Sequence, residues 1–316
     1  MAVSQGSLLN GAQAFSGLFR GLMASSRKSP GPALAAMDRV EGSSRADPLI
    51  PPLRDAVHTM PAGVRDALHG TWLGHPAHPA MVQIPIGTWM SAAVIDLLPG
   101  RHRSADLLIA VGLGTAAPAA VAGLADWAEL RKPQMRVGLL HAAANVAGVA
   151  MYTASLAARL RGHRLRGRGW SYAGLVTVGL GGALGGHLAY RQAAGANHAD
   201  HVVAALDPGW LPLGRLADFP VGRPATATVR DIPVLVFRES EDTLRVLADQ
   251  CSHLGGPLSE GEIADGCVRC PWHGSTFRLT DGFNVTGPAT APQPAFEARI
   301  VDGRVEVRLP AEDKET

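Results

Sequence analysis

Two short segments near the C-terminus place cysteine and histidine at spacings that suit metal binding. One residue separates Cys251 from His253, and two residues separate Cys270 from His273. The remaining cysteine, Cys267, is expected to be a small buried strand residue. Two thiolates and two imidazoles suit either a zinc ion or a [2Fe–2S] cluster with two cysteines on one iron and two histidines on the other.

The surrounding residues resemble those of the Rieske [2Fe–2S] family. HLGGPLSEG follows the first pair, CPWHGSTF surrounds the second, and the later GPATAPQPAFEARIVDGRVEV is similar to the family's proline loop and closing hairpin. The resemblance covers about residues 210–310. It implies a Rieske-type cluster in which Cys251 and Cys270 bind one iron and His253 and His273 bind the other.

The resemblance also bears on how the cluster is tuned. In the cytochrome-complex branch of the family a disulfide joins the cluster loops, and its cysteines align with Gly256 and Trp272 here. The chain is therefore closer to the ferredoxin-like and oxygenase-associated branches. Ser275 aligns with a serine that hydrogen-bonds a bridging sulfide, whereas the tyrosine two positions later is Phe277. We expect Ser275 to tune the cluster and the potential to be intermediate.

The segments around these pairs predict a small all-β domain with cluster-binding loops. Short runs rich in β-branched residues are broken by Gly, Pro and Asp, and Asp302-Gly303 is typical of a hairpin turn. The predicted strands are Ala225–Arg230, Val234–Arg238, Leu244–Ala248, Ala298–Val301 and Val305–Arg308.

Four long apolar stretches precede this domain, at about residues 81–98, 105–127, 137–160 and 170–190. Each approaches the roughly 20 residues that cross a bilayer as a helix. The sequence therefore predicts a four-helix transmembrane bundle and a multi-pass membrane protein, with a buried soluble bundle as the alternative. GHPAHPAMVQIPIGTW also resembles the opening of an uncharacterised bacterial family of four-span membrane domains.

A second group of ionisable residues is predicted at one face of this bundle. Antiparallel threading brings together the side chains of His75, His78, Asp126, His141 and His187. Ionisable residues in a membrane are costly and point to function. We expect a haem, an additional metal or a proton relay there; the alternative is interfacial histidines hydrogen-bonded to the backbone.

The predicted layout is a flexible, partly helical segment (1–69), a membrane domain (70–194), a linker (195–209), the cluster domain (210–310) and a tail (311–316). Leu8–Met23 is either an amphipathic helix or a weakly ordered tail. Arginines between the third and fourth stretches and basic residues near 131–136 favour opposite membrane orientations. The side on which the cluster domain lies therefore stays open. The net charge of +2, without a long basic run, argues against a nucleic-acid partner.

Together these features predict a membrane-anchored carrier that moves single electrons from a quinol, haem or reductase partner to an unknown acceptor. One alternative is a ferredoxin-like component of a multi-chain oxygenase. An oxygenase acting alone needs a mononuclear iron bound by two histidines and a carboxylate, and we expect no such catalytic site in this chain. Another alternative is a zinc-binding interaction module on a membrane anchor.

Overall fold

The structure is a computed structural model that describes residues 31–206 and 209–310. Helices make up the chain as far as residue 205, and β-strands make up most of it from residue 211 onward. The predicted segment Leu8–Met23 and the tail 311–316 lie outside the described residues.

The segment before the apolar helices is helical and packed against them. It contains α1 (Pro32–Gly42), a 3-10 turn (Ser44–Leu49), α2 (Ile50–His58) and α3 (Ala62–His69). Arg136 holds it to the bundle, donating to both carboxylate oxygens of Asp47 at 2.7 and 2.8 Å and to the carbonyl of Glu41 at 2.7 Å. Its proline, serine and glycine content predicts a loose segment, but these tertiary contacts order residues 32–69.

The apolar region folds into helices that pack side by side. They are α4 (Ala77–Met81), α5 (Gln83–Ile95), α6 (His102–Ala128), α7 (Lys132–Leu160) and α8 (Arg164–Gly186), followed by a π turn (His187–Arg191) and by α9 (His201–Ala205). Helix α5 lies along α6, and α7 lies along α8.

Within the described residues, two helices, α6 and α7, are long and apolar enough to cross a membrane. Helix α5 has 13 residues, which at about 1.5 Å per residue is shorter than the hydrocarbon layer. Helix α8 is long enough, but its three arginines and eight glycines lower its hydropathy. Of the other two predicted spans, the one at 81–98 is therefore too short as a helix and the one at 170–190 is not apolar enough.

Small residues let α7 and α8 approach closely. A Cβ on Gly181 would lie 2.8 Å from Asn145, and one on Gly185 would lie 3.2 Å from His141, whereas Gly182 faces open space. Removing side-chain volume on one helix face brings the two backbones together. The close contact therefore runs along the Gly181–Gly185 face.

A buried ion-pair network closes the end of the bundle farther from the β-strands. Arg159 donates to both carboxylate oxygens of Asp96, with Nη1 at 2.8 Å from Oδ1, and contacts Asp106 at 3.4 Å. Arg164 also donates to Asp106. The Arg159 and Asp96 side chains are almost fully buried, so the pair ties the C-terminal ends of α5 and α7 together.

The β-strands form two antiparallel sheets. The larger has the order β1-β10-β9-β4-β3-β2 and the smaller the order β5-β6-β7-β8. The strands are β1 (Leu211–Arg215), β2 (Pro224–Val229), β3 (Ile232–Arg238), β4 (Leu244–Ala248), β5 (Glu262–Ala264), β6 (Cys267–Arg269), β7 (Thr276–Arg278), β8 (Asn284–Thr286), β9 (Ala295–Val301) and β10 (Arg304–Arg308). The all-β class, the five predicted strands and the turn at Asp302-Gly303 are confirmed, with both turn residues at positive φ.

The alternation of side chains along β3 divides the β core in two. Val234 and Val236 pack into the core of the larger sheet, whereas Leu235 packs with Leu258, Val268 and other buried residues. Successive strand residues point to opposite faces, so one strand serves both cores. The second core also contains Cys251 and Cys270, and it therefore forms the floor of the candidate site.

Candidate metal centre

The two cysteine–histidine segments form loops with the same backbone pattern. In the first loop, Cys251 N–H donates to the Gly256 carbonyl at 2.9 Å, and Gly255 N–H donates to the Cys251 carbonyl at 2.8 Å. In the second loop, Cys270 N–H donates to the Ser275 carbonyl at 2.8 Å, and Gly274 N–H donates to the Cys270 carbonyl at 3.1 Å.

Both loops need glycine at the same place in this pattern. Gly255 has φ of 78° and Gly274 has φ of 75°. Glycine adopts this left-handed conformation without the steric penalty that a Cβ brings. The sequence therefore forms two equivalent loops, each with a cysteine at its base and a histidine at its tip.

The loops bring the four predicted ligands together by type. The thiols of Cys251 and Cys270 are buried and lie within hydrogen-bonding distance of each other. The rings of His253 and His273 face each other with centroids 5.0 Å apart and an interplanar angle of 89°. Sulfur thus faces sulfur and imidazole faces imidazole across the loops.

The electrostatics of this group favour the metal-binding protonation states of Cys270 and His253. The hydrogen bond between the thiols raises the pKa of Cys251 and lowers the pKa of Cys270 to about 7. Burial lowers the pKa of His253 to about 3, with smaller contributions from His273, His69 and His198. Metal ligation needs thiolate and neutral imidazole; the lowered pKa values of Cys270 and His253 favour these forms, whereas the raised pKa of Cys251 favours its thiol.

An unpartnered nitrogen supports a bound group at this site. Nδ1 of His253 is buried and has no hydrogen-bond partner among the described residues. Buried polar atoms are almost always paired, so an orphan nitrogen on one of four neighbouring metal-binding side chains fits a metal ligand. The residues therefore fit a metal group held between the loops.

The arrangement fits two metal ions better than one. Structural zinc needs four donors around one point. A cluster with two cysteines on one iron and two histidines on the other needs only paired donors, which is the pattern observed.

The neighbouring positions singled out in the sequence differ in character. Ser275 is buried, and its Oγ accepts from Ala289 N–H at 3.1 Å, which leaves its own O–H to donate. Phe277 is fully buried in the second core. Cys267 lies in β6, as expected, but is half-buried.

Gln293 positions the first loop, a role that the sequence did not reveal. Its side chain is buried, accepts from Ser252 N–H at 3.0 Å and donates to the carbonyls of Ala248 and Gln250 at 2.7 Å each. These bonds fix the backbone on both sides of Cys251. A single glutamine in a proline-rich loop belongs to no motif with a recognisable spacing, so this role becomes visible only in the three-dimensional structure.

The site also contacts the helical part of the chain. The Asp66 carboxylate accepts a hydrogen bond of 2.9 Å from Gly287 N–H, and His198 N–H donates to the Ser252 carbonyl at 2.9 Å. Burial lowers the pKa of His273, and Glu129, Arg54 and His58 also act on it. The histidine side of the site therefore faces the helices.

Two histidine–carboxylate pairs lie on that side of the helical part. His69 bonds Asp126 at 2.9 Å, and His58 bonds Glu129 at 2.9 Å. His69 is only 2% exposed. His58 and His69 were not among the residues singled out in the sequence, because short helices separate them from the apolar stretches that carry their partners.

Of the five residues predicted at the membrane face, two lie next to each other. The rings of His78 and His141 are 6.1 Å apart in an edge-to-face arrangement. Nδ1 of His78 bonds the Ala119 carbonyl and Nδ1 of His141 bonds the Gly181 carbonyl, each at 2.8 Å. Both bonds match the alternative interpretation of the sequence, in which these histidines are hydrogen-bonded to the backbone.

The other three have other hydrogen-bond partners, although the charge of Asp126 is within reach of His78. Asp126 pairs with His69, His187 pairs with Glu41 at 2.7 Å, and His75 is exposed and bonds the carbonyl of the next residue. The five side chains are thus not gathered into one group.

Comparisons with known proteins match both parts of the chain. Residues 209–297 match the Rieske [2Fe-2S] domain, and residues 74–198 match the predicted membrane protein family DUF2231. The anthranilate 1,2-dioxygenase ferredoxin subunit of Burkholderia cepacia is 40% identical over 100 residues, which cover 32% of this chain and 92% of that protein. Ferredoxin CarAc of Metapseudomonas resinovorans is 30% identical over 104 residues, covering 31% of this chain and 92% of that protein.

A solved structure, the complex of reduced oxygenase and oxidized ferredoxin in carbazole 1,9a-dioxygenase, aligns with a TM-score of 0.30 and 28% identity, covering 34% of this chain and 100% of that chain. The two sequence relatives are thus covered almost whole by about a third of this chain.

Proposed function

Because the chain belongs to the Rieske [2Fe–2S] domain family and is a Rieske-type electron carrier similar to oxygenase ferredoxins, we propose that Cys251, His253, Cys270 and His273 are its cluster ligands. The observation that carries the assignment is the pairing of thiol with thiol and imidazole with imidazole, with Nδ1 of His253 buried and unpartnered. When bound, the cluster takes up and releases one electron at a time.

The chain's own residues set the conditions of this chemistry. Neutral imidazoles in place of two thiolates leave the site with about two fewer negative charges, so an added electron meets less repulsion. Leu258, Val268 and Phe277 form an apolar floor that excludes water. Ser275 Oγ accepts from Ala289 N–H, which leaves its own O–H to donate, and we propose that it donates to the cluster.

We further propose that the carrier is anchored by a four-helix membrane domain spanning residues 70–194, joined by a linker (195–209) to the cluster domain (210–310). Support comes from the apolar helices α6 and α7 and from the match to a predicted membrane protein family. Large apolar side chains are also exposed along the helices, including Leu107, Val146, Val176 and Leu180. Such a belt suits contact with a lipid bilayer.

The electron acceptor is proposed to be an oxidoreductase component on another protein chain. The name of one relative describes it as the ferredoxin subunit of an anthranilate dioxygenase. The described residues contain no group of three histidine or carboxylate side chains that would bind a mononuclear iron. A partner that supplies such a site would accept electrons from this chain.

The ligand assignment is tested with His273→Ala in the full chain, with His163→Ala as the control because His163 is exposed at the opposite end of the bundle. Iron content, visible absorption and electron paramagnetic resonance of the reduced protein are measured. We expect His273→Ala to lose the cluster and the control to keep it. Retention of iron and colour by His273→Ala, or a colourless protein that contains zinc, overturns the proposal.

Membrane anchoring is tested separately by fractionation. The full chain is expected to stay in the membrane pellet after an alkaline carbonate wash and to be released by detergent. Recovery in the washed supernatant contradicts anchoring and leaves the ligand assignment untouched.

A further inference from the structure

The histidine side of the cluster site is closed by the helical part of the same chain. His253 and His273 are only partly exposed, although they lie at loop tips. In contrast, Trp272, next to His273, is 51% exposed. The loops therefore present an open tryptophan side and a covered histidine side.

Two hydrogen bonds hold this contact on either side of the site. Asp66, in α3, accepts from Gly287 N–H, and a Cβ on Gly287 would lie within 3.0 Å of Ser275, so this anchor adjoins the second loop. His198 N–H donates to the carbonyl of Ser252, which lies between the two ligands of the first loop. The second loop is thus tied to α3, and the first loop to the turn that precedes α9.

The surface that faces the histidines carries charge. Its carboxylate is Glu129, bonded to His58; His69, which also belongs to this surface, is bonded in turn to the carboxylate of Asp126. Glu129 is buried, and its charge acts on His273 together with that of Arg54; His69 acts on His253. When the imidazoles are neutral, the His69–Asp126 pair and the His58–Glu129 pair each carry one negative charge. The single positive charge of Arg54 offsets part of this negative charge.

We propose that the helical part of this chain is the docking partner of its own cluster loops, and that the carboxylates of the His69–Asp126 and His58–Glu129 pairs lower the reduction potential at this contact. The proposal rests on the cluster assignment above. A fixed negative charge near the cluster disfavours an added electron, and a partly buried site screens this effect less than water does. The two pairs are positioning and tuning groups and do not bind the cluster.

Potentiometry of the full chain at pH 8, where free imidazoles are neutral, tests the tuning. Glu129→Gln and Asp126→Asn each remove a negative charge, so both are expected to shift the midpoint potential upward. Glu129→Asp keeps the negative charge and is expected to keep the midpoint potential of the unmodified chain. The control, Asp55→Asn, removes an exposed carboxylate of α2 and is expected to leave the potential unchanged.

A second measurement tests docking without using the potential. Asp66→Ala removes the acceptor of Gly287 N–H, so hydrogen exchange of the segment around residues 284–289 is expected to accelerate at least tenfold, whereas Asp55→Ala leaves it slow. Once the contact is loosened, Glu129→Gln is expected to shift the potential less than it does in the intact protein, because coupled sites are non-additive.

The outcomes separate this proposal from the cluster assignment. If the variants keep iron and the spectrum of the reduced cluster but neither Glu129→Gln nor Asp126→Asn moves the potential beyond Asp55→Asn, the tuning is wrong. If Asp66→Ala leaves exchange unchanged, the docking is wrong. A failure of His273→Ala to lose iron contradicts the cluster assignment itself.

Discussion

The indole ring of Trp272 lies directly against Gly256, so that a methyl group on Gly256 would come within 2.9 Å of Cδ2 of the ring and 3.1 Å of the Cys270 sulfur. The cytochrome-complex branch of the family has its loop-joining disulfide at the aligned positions. Here the contact between the two loops at this point is an aromatic ring packed on a bare backbone, so packing takes the place of a covalent link.

Gly256→Ala is therefore expected to force the loops apart. Overpacking of this kind typically costs about 1–3 kcal/mol, and we expect a lower temperature of cluster loss, followed by visible absorption. Gly63→Ala is the control, because its Cβ meets open space. Adding Trp272→Leu to Gly256→Ala should recover part of the loss, and no recovery would argue against the clash.

Gln293→Ala is expected to loosen the first loop. It leaves Ser252 N–H and the carbonyls of Ala248 and Gln250 without their partner, and each buried unsatisfied group costs about 1–3 kcal/mol. Iron should be lost faster to a chelator. Gln293→Glu keeps the acceptor for Ser252 but places a carboxylate oxygen against the two carbonyls, so iron is expected to be lost at least as fast as from Gln293→Ala; slower loss would contradict the role of the two donated bonds.

The predictable parts of the site are those encoded locally. Cysteine and histidine two or three residues apart, with glycine at fixed offsets, are visible in the sequence, and the loops follow from them. Leu244–Ala248 was predicted with its observed bounds because alternation and flanking turn residues mark it. In contrast, β5 to β8 have three residues each, too few for a period to be recognised.

The parts that could not be predicted depend on distant residues. Asp66 and Gly287 are 221 positions apart, and no pattern links them. Helix α5 is shorter than the apolar stretch 81–98 because it ends at Ile95, next to Asp96, which Arg159 holds from another helix. The apolar residues Leu97 and Leu98 extend the run of the sequence but not the helix.

Ser275→Ala is expected to lower the reduction potential. The substitution removes the O–H that is free to donate toward the cluster, and such bonds favour the reduced, more negative form. A shift on the order of 60 mV corresponds to about 1.4 kcal/mol for one electron. Ser259→Ala is the control, since its hydroxyl donates to Asp249; equal shifts in both variants would argue against a specific role.

Arg159→Ala is expected to destabilise the helical bundle strongly. Removing Arg159 leaves the buried Asp96 carboxylate with only its longer, 3.7 Å contact to Arg168, and breaking a buried pair costs about 3–5 kcal/mol. Arg191→Ala is the matched control, because its pair with Asp38 at 3.2 Å is exposed and worth about 0–1 kcal/mol. Thermal unfolding in detergent measures both, and similar melting temperatures for the two variants would refute the assigned role of Arg159.

The contact through His198 is expected to weaken in acid. Burial lowers the pKa of His198 from its ordinary value of 6.5, against the smaller effect of its bond to the Ala193 carbonyl. The unfolded chain therefore takes up the proton first, so the stability is present above pH 6.5 and is lost as the pH falls below it. His198→Gln keeps the backbone bond to Ser252 and removes the proton-binding group. Between pH 8 and pH 5 the melting temperature of the unmodified chain should fall more steeply than that of His198→Gln. Parallel plots of melting temperature against pH would exclude His198 as a source of acid sensitivity.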